Sequence, residues 1–123
     1  MPCSYSIDTE LEIVLSTASG KLVDAELEDH QLRLSEDPGF EPHFRQLADF
    51  TGVTEFEVSA ECVRRLARKN IYAEPALRAF AVPQDAGFGL ARMFEILRET
   101  YGEETIRTFR SLLEARHFLG LAD

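Results

Sequence analysis

The sequence predicts a single α/β domain over residues 1–123, with a mixed, mostly parallel sheet, an N-terminal hairpin and about four helices. Three observations predict this class: alternating apolar residues near the N-terminus, an almost uninterrupted apolar run at residues 76–82, and apolar residues at helical spacing between later strands. Strands that alternate with helices after a hairpin favour a parallel sheet covered by helices. The predicted element order is ββαβαβαβα.

The first elements follow from changes in the spacing of apolar residues. Apolar side chains alternate on both sides of residues 8–10, which predicts a hairpin that ends at Gly20. The alternating residues are Tyr5, Ile7, Leu11, Ile13 and Leu15. From Lys21 the spacing becomes helical, with Leu22 and Val23 included, and the helix stops before the Pro and Gly loop at residues 37–42. A short strand is then expected at residues 45–50, followed by a turn.

The middle of the chain supplies a helix and a buried strand. Ser59 stands before an amphipathic segment, so its hydroxyl is predicted to cap a helix by accepting an early N–H. The run at residues 76–82 contains one charged residue, Arg78, and ends before a proline. A run this apolar is typical of an inner strand covered on both faces.

The last third predicts a helix, a short strand and a final helix. Gly102 is placed to end the first of these helices. Gly87 and Gly89 at its start could present N–H groups to a phosphate, but they lack the GxGxxG spacing, so an ordinary helix start is the expectation. Ser111 and Glu114 form the capping-box pattern that begins the final helix.

Charge restricts the class of partner. The 123 residues include 13 Lys or Arg against 22 Asp or Glu, a formal net charge of −9. Negative charge repels nucleic-acid phosphates and anionic lipid headgroups, so neither is an expected partner. No apolar run reaches the length of a membrane span. The one compact basic run, residues 64–69, suits the solvated face of a helix.

Cysteine and histidine usage indicates no catalytic or metal chemistry. The two cysteines, Cys3 and Cys62, are too few for a disulfide framework or a structural zinc site, which favours a cytoplasmic location. Cys62 is expected to behave as a small buried hydrophobe. His30, His43 and His117 lie far apart in the sequence, and each is expected at the surface or at a helix cap. We therefore predict no catalytic residues, no metal, no cofactor and no enzyme.

Polar side chains supply the candidate partner or ligand site. Asp49, Thr51, Thr54 and Ser59 cluster around the expected turn, and Asp85 and Arg92 are the further candidates. The alternative is structural: Asp49 and Thr51 would fix the turn through side-chain to backbone hydrogen bonds, and Ser59 would only cap a helix.

Two stretches carry a family resemblance. AVPQDAGFGLARMFEIL together with IRTFRSLLEARHFLG resembles the bacterial SpoIIAA-like (STAS/SEC14-type) family, and DFTGVTEFEVSA resembles the strand, turn and helix start of anti-sigma-factor antagonists. The resemblance implies a compact STAS-like domain. It places Asp49 and Thr51 on matching positions, and Ser59 on the serine that those antagonists phosphorylate. The chain departs from the antagonists' pattern at two positions. Ala60 stands where they have glycine, and Val58 stands where they have a second serine.

Two functions of different classes are predicted. The first is a non-enzymatic regulatory or protein-interaction module, with another protein or a second copy of the chain as its partner in a homodimer. The alternative, implied by the SEC14 side of the resemblance, is a carrier of a small apolar or lipid-like ligand in a pocket between sheet and helices. An apolar cavity would favour the carrier, and a flat apolar patch repeated across a two-fold axis would favour assembly.

Overall fold

The computed structural model describes residues 3–73, 76–103 and 105–121. Within these residues a five-stranded mixed sheet and four helices follow one another in the predicted order. The strands are β1 (Cys3–Asp8), β2 (Ile13–Val23), β3 (Arg45–Glu57), β4 (Arg78–Ala81) and β5 (Ile106–Phe109). The helices are α1 (Asp24–Ser35), α2 (Ala60–Arg68), α3 (Asp85–Thr100) and α4 (Leu112–Phe118).

The strands lie in the sheet in their sequence order. The β1 strand is antiparallel to β2, and each later strand is parallel to the one before it. Each new parallel strand is added at the same edge of the sheet. Right-handed crossovers between such strands place the connecting helices on one face of the sheet. Side chains from α1, α2 and α3 do converge over one face, together with Ser16, Gln46 and Arg78 of the strands, and we name it the three-helix face.

The opposite face is covered by α4, and we name it the α4 face. Its core consists of apolar side chains from β2, β3, β4 and the final helix: Ile13, Leu47, Ala79, Ala81, Ala115 and Leu119. Successive residues of a strand point to opposite faces, so Ala79 and Ala81 lie on the α4 face whereas Arg78 and Phe80 lie on the three-helix face. Small alanines on β4 let the last helix pack close to the sheet.

The prediction of a buried inner strand at residues 76–82 is confirmed. The β4 strand lies between β3 and β5, and all four of its residues are buried. Ala76 and Val82 beside it are also buried, and Leu77 is partly buried. The regular strand is shorter than the apolar run because the pairing with its neighbours covers only residues 78–81.

The predicted start of α1 is wrong. Gly20 does not end the hairpin, because β2 continues to Val23 and α1 begins at Asp24. Leu22 is therefore a buried strand residue rather than a helical one. Gly20 has φ +67 and stands where the register between β2 and β3 shifts, so it accommodates an irregularity within the strand instead of terminating it.

The predicted turn after residues 45–50 is also wrong. The β3 strand runs on to Glu57, and its pairing with β2 continues from Ser19 opposite Gly52 to Val23 opposite Glu57. Its pairing with β4 ends at Asp49 opposite Ala81. The second half of β3 therefore projects beyond β4. Its polar residues form an exposed strand segment, although their sequence pattern is typical of a turn.

The predicted starts of α2 and α4 and the predicted end of α3 near Gly102 are confirmed. The Cys62 N–H donates to Ser59 Oγ over 3.0 Å at the start of α2, and the Glu114 N–H donates to Ser111 Oγ over 3.1 Å at the start of α4. The α3 helix ends two residues before Gly102, whose φ is +98. Across the described residues, helices long and apolar enough to cross a membrane are absent.

Gly87 and Gly89 belong to the first turns of α3 rather than to a separate phosphate-binding loop. A Cβ atom at Gly87 would collide with the ring of Phe56 on β3. Glycine at this position lets α3 approach β3 closely, which agrees with the expectation of an ordinary helix start. The basic run at residues 64–69 is solvated, as predicted, and Arg65 forms ion pairs with Glu28 of α1 and Glu61.

Candidate functional site

A row of polar side chains crosses the three-helix face beneath its helices. Ser16, Gln46 and Arg78 come from three neighbouring strands and are all buried. Gln46 and Arg78 are direct register partners, and Ser16 is two residues beyond Val14, the partner of Gln46 on β2. Parallel pairing therefore brings together residues that are about thirty positions apart in the sequence.

Hydrogen bonds join this row into a chain. The Arg78 Nε–H donates to Gln46 Oε1 over 3.1 Å, and the Gln46 amide nitrogen donates to Ser16 Oγ over 3.1 Å. His30 Nε2 of α1 lies 3.0 Å from the same Ser16 oxygen. Because Ser16 accepts from Gln46, its hydroxyl hydrogen is free to be donated to a neutral His30. The chain is thus oriented from Arg78 towards α1.

His30 is buried, which makes the expectation of a surface or cap histidine wrong. Desolvation by the surrounding apolar residues is the main cause that lowers the pKa of His30 from 6.5 to about 4, and the positive charges of Arg33 and Arg78 lower it further. Asp29 acts in the opposite direction. The imidazole is therefore neutral at neutral pH.

At the other end of the row, Arg78 is part of a buried ionic cluster. Its Nη1 lies 3.5 Å from Glu103 Oε2, and the Nε–H of Arg98 donates to Glu103 Oε1 over 2.8 Å. Each of the three residues is at least nine-tenths buried. The Arg78 guanidinium also lies 4.1 Å from the centroid of the Tyr72 ring, a cation–π contact that fixes its plane.

A cavity of about 130 Å³ opens between this polar row and the three helices. The polar residues that line it are Ser16, Thr17, His30, Gln31, Gln46, Asp49 and Arg78. Most of the other lining residues are apolar: Ala18, Ala48, Phe50, Phe56, Phe80 and Val82 from the sheet side, and Leu27, Val63, Leu66, Leu90, Ala91 and Phe94 from the helices. A concave apolar space with a few convergent polar groups is typical of a site for a small molecule.

Cys3 also lines the cavity, but it is a poor nucleophile. Burial raises the pKa of the Cys3 thiol to about 11, so the sulfur stays protonated at neutral pH. Cys62, on α2, is fully buried, as expected of a small hydrophobe, and burial raises its pKa to about 12. Groups of three or more side chains that could hold a metal ion are not found among the described residues.

A second depression, of about 350 Å³, lies between α1 and α2 and is lined by polar and charged side chains such as Glu28, Arg65 and Lys69. Glu28 and Arg65 already form an ion pair there. Among the described residues, none that lines this depression has a buried side-chain polar atom without a hydrogen-bond partner. The cavity on the three-helix face is therefore the better candidate for a binding site.

The residues selected from the sequence do not form one site. Asp49 and Thr51 bond to each other, since the Thr51 N–H and hydroxyl both donate to Asp49 Oδ1 over 2.9 and 2.6 Å. Asp49 also lines the cavity, whereas Thr51 and Thr54 are exposed on the projecting part of β3. The structural interpretation of Asp49 and Thr51 thus has direct hydrogen-bond support, although on a strand rather than in a turn.

Asp85 and Arg92 lie on α3 away from that pair, and each has a charged partner. Asp85 pairs with Arg110, which follows β5, and Arg92 pairs with Glu95 one helical turn along. Asp85 is almost fully exposed. The Asp85–Arg110 pair is exposed, and exposed ion pairs contribute little to stability.

Ser59 is held by a residue that the sequence did not indicate. Its N–H and its hydroxyl both donate to the Asp24 carboxylate over 2.7 Å, while its oxygen caps α2. The hydrogen bond from the Ser59 hydroxyl is the main cause that lowers the pKa of Asp24. A phosphate on Ser59 would face this carboxylate and be repelled by it.

The residues of the cavity were missed because their proximity depends on strand register. Arg78 was visible as the one charge in an apolar run, and that is a signal of a buried functional or paired group. Its partners Gln46 and Glu103 carry no local pattern that connects them to it.

Comparison of the chain with models of known protein families and with curated protein sequences gives no match.

Proposed function

We propose that this protein binds a small, largely apolar molecule in the cavity on the three-helix face, as a carrier or sensor rather than as an enzyme. The observation that carries this proposal is a cavity of about 130 Å³ with an apolar wall and a polar side. A cavity of about 150 Å³ is large enough for benzene. The cavity of about 130 Å³ is slightly smaller, so the part of the ligand inside it is about the size of a single aromatic ring.

The lining groups favour binding over chemistry. His30 is a weak base in its buried position, and the Cys3 thiol stays protonated. The STAS-like (SEC14-type) assignment is part of this proposal and rests on the resemblance of the sequence. A fold alone hosts many functions, so the cavity rather than the fold carries the argument.

The alternative of a regulatory module or homodimer stays a prediction. Ser59 is engaged by Asp24, which weighs against a role as a phosphorylated switch. Large exposed apolar side chains are divided among the β1–β2 turn, α1, α3 and α4 rather than gathered on one element: Leu11, Leu32, Ile96, Tyr101 and Leu113.

Toluene provides a direct test of the proposal, because it has the size and apolarity of the expected ligand. We expect toluene to raise the melting temperature of the wild-type protein in a saturable way, since a ligand that binds only the folded state stabilises it. Ala48→Leu, which fills the cavity, should abolish this effect. Ala86→Leu adds the same side chain at an exposed position of α3 and serves as the control. Equal responses of Ala48→Leu and wild type, or no saturable response of wild type, would contradict the proposal.

A further inference from the structure

Within the part of the chain that the structure describes, the ionic cluster beside the cavity carries one positive charge in excess. Among these residues Arg78 and Arg98 share one carboxylate, that of Glu103, and all three side chains are buried. Glu95, the other buried acid of the described chain, is engaged by Arg92 and by the Thr108 N–H. A buried charge without full compensation is costly. The cluster therefore favours an additional anion.

Arg78 has hydrogen-bonding capacity left for such an anion. Its Nε–H donates to Gln46 and its buried Nη1 is turned to Glu103 Oε2 at 3.5 Å, whereas its Nη2 has no hydrogen bond to another described residue. A guanidinium offers several N–H donors in a planar fork that matches a carboxylate. Contact with the Tyr72 ring fixes the plane of this fork.

Arg78 lies where its N–H groups can meet a ligand in the cavity. Arg78 lines the cavity beside Ser16 and Gln46, and its guanidinium carbon lies 5.7 and 5.5 Å from the ring centroids of Phe80 and Phe94, which belong to the apolar wall. A single ligand can therefore place a charged group on the guanidinium and an apolar body against the two rings.

We propose that the ligand is a small monocarboxylic acid, whose carboxylate pairs with Arg78 and whose apolar body, about the size of a benzene ring, lies against Phe80 and Phe94. This inference rests on the proposed function and names the class of its ligand. Gln46 acts as a positioning residue, because its amide oxygen holds the Arg78 Nε–H.

Calorimetric titrations with benzoate, benzyl alcohol and toluene test the inference, because the three probes share a ring and differ in charge. Benzoate should bind wild type at least about tenfold more tightly than benzyl alcohol, since hydrogen bonds to charged groups are stronger than neutral ones. Arg78→Met should remove this preference and leave toluene binding in place. Arg64→Met, at an exposed position of α2, should change neither.

The outcomes separate this inference from the proposed function. Toluene binding without a preference for benzoate would overturn the inference and leave the proposed function standing, with buried water then satisfying the free donor. Failure of all three probes would overturn both. A preference for benzoate that survives Arg78→Met would place the acid elsewhere and overturn the inference.

A measurement on wild type covers the case in which Arg78→Met does not fold. The Nε–H resonance of Arg78 in a ¹H–¹⁵N spectrum should shift saturably with benzoate and much less with toluene. No change of this resonance at benzoate saturation would overturn the inference.

Discussion

The two faces of the sheet use neighbouring residues of the same strands in different ways. On the α4 face, Leu47 and Ala79 pack into an apolar core against the last helix. One position away on each strand, Gln46 and Arg78 point to the three-helix face, where they form a buried polar row beside a cavity. Buried ionic groups are often less stabilising than close apolar packing of the same volume. The polar row and the cavity make the three-helix face the proposed binding face, whereas the α4 face is an apolar core.

Among the substitutions that test this difference between the faces, removal of the Glu103 carboxylate should lower the free energy of unfolding most. Glu103→Gln leaves Arg78 and Arg98 buried without a counter-ion, and we expect the free energy of unfolding to fall by about 3–5 kcal/mol. Glu99→Gln, at an exposed position of α3, should change it by less than about 0.5 kcal/mol. Urea unfolding measures both. A loss below about 1 kcal/mol for Glu103→Gln would mean that the cluster is not a buried charge network.

Acid should weaken the three-helix face through His30. Because the folded protein holds the pKa of His30 at about 4, below its ordinary value of 6.5, the unfolded chain takes up a proton first as the pH falls. Stability contributed by the neutral imidazole is complete above pH 6.5 and is lost between pH 6.5 and 4. The loss amounts to about 3 kcal/mol.

The variant His30→Gln isolates this contribution. It keeps a donor near Ser16 and removes the titration, so its stability should fall less between pH 7 and 4.5 than that of wild type. Parallel pH profiles of His30→Gln and wild type would show that this histidine does not titrate as argued.

Enlargement of an alanine on each face should separate the faces directly. Ala79→Leu overfills the α4 face, and we expect it to lower the free energy of unfolding by about 1–3 kcal/mol. Ala48→Leu projects into the cavity and should lower it clearly less. Denaturant unfolding measures both losses, and the comparison holds when the slope of the free energy of unfolding against denaturant concentration is the same in all variants. Equal losses at the two positions would indicate that the cavity does not accept the added atoms.

The smallest expected effect concerns the cap of α2. Ser59→Ala removes the acceptor for the Cys62 N–H and should cost about 1 kcal/mol. Ser59→Asp should be less stable than Ser59→Ala, although aspartate is a good cap elsewhere, because its carboxylate would meet that of Asp24. Thermal unfolding would show recovery when Asp24→Asn is added. A Ser59→Asp protein as stable as wild type would refute the argument.

Much of the fold was predictable because local patterns determine it. The apolar run around Arg78 predicts an inner strand, and Ser59 and Ser111 mark helix starts that the structure retains. The long ends of β2 and β3 were not predictable in this way. Gly20 resembles a terminator, yet pairing of β2 with the projecting half of β3 keeps the strand continuous through it.

The candidate site was hardly predictable at all. Of the six residues selected from the sequence, Asp49 alone lines the cavity. Ser16, Gln46 and Arg78 become neighbours only through the register of three strands, and Glu103 reaches Arg78 from the loop between α3 and β5. A single sequence contains no local signal for contacts of that kind.

Intermolecular nuclear Overhauser effects from the ring protons of bound toluene test the central claim most directly. We predict contacts with the methyl groups of Ala48 and Ala91, which line the cavity on the three-helix face, and none with those of Ala79 and Ala115 on the α4 face. Contacts with Ala79 or Ala115, or no contact with Ala48 and Ala91 at saturating toluene, would contradict the assignment of the three-helix face as the binding face.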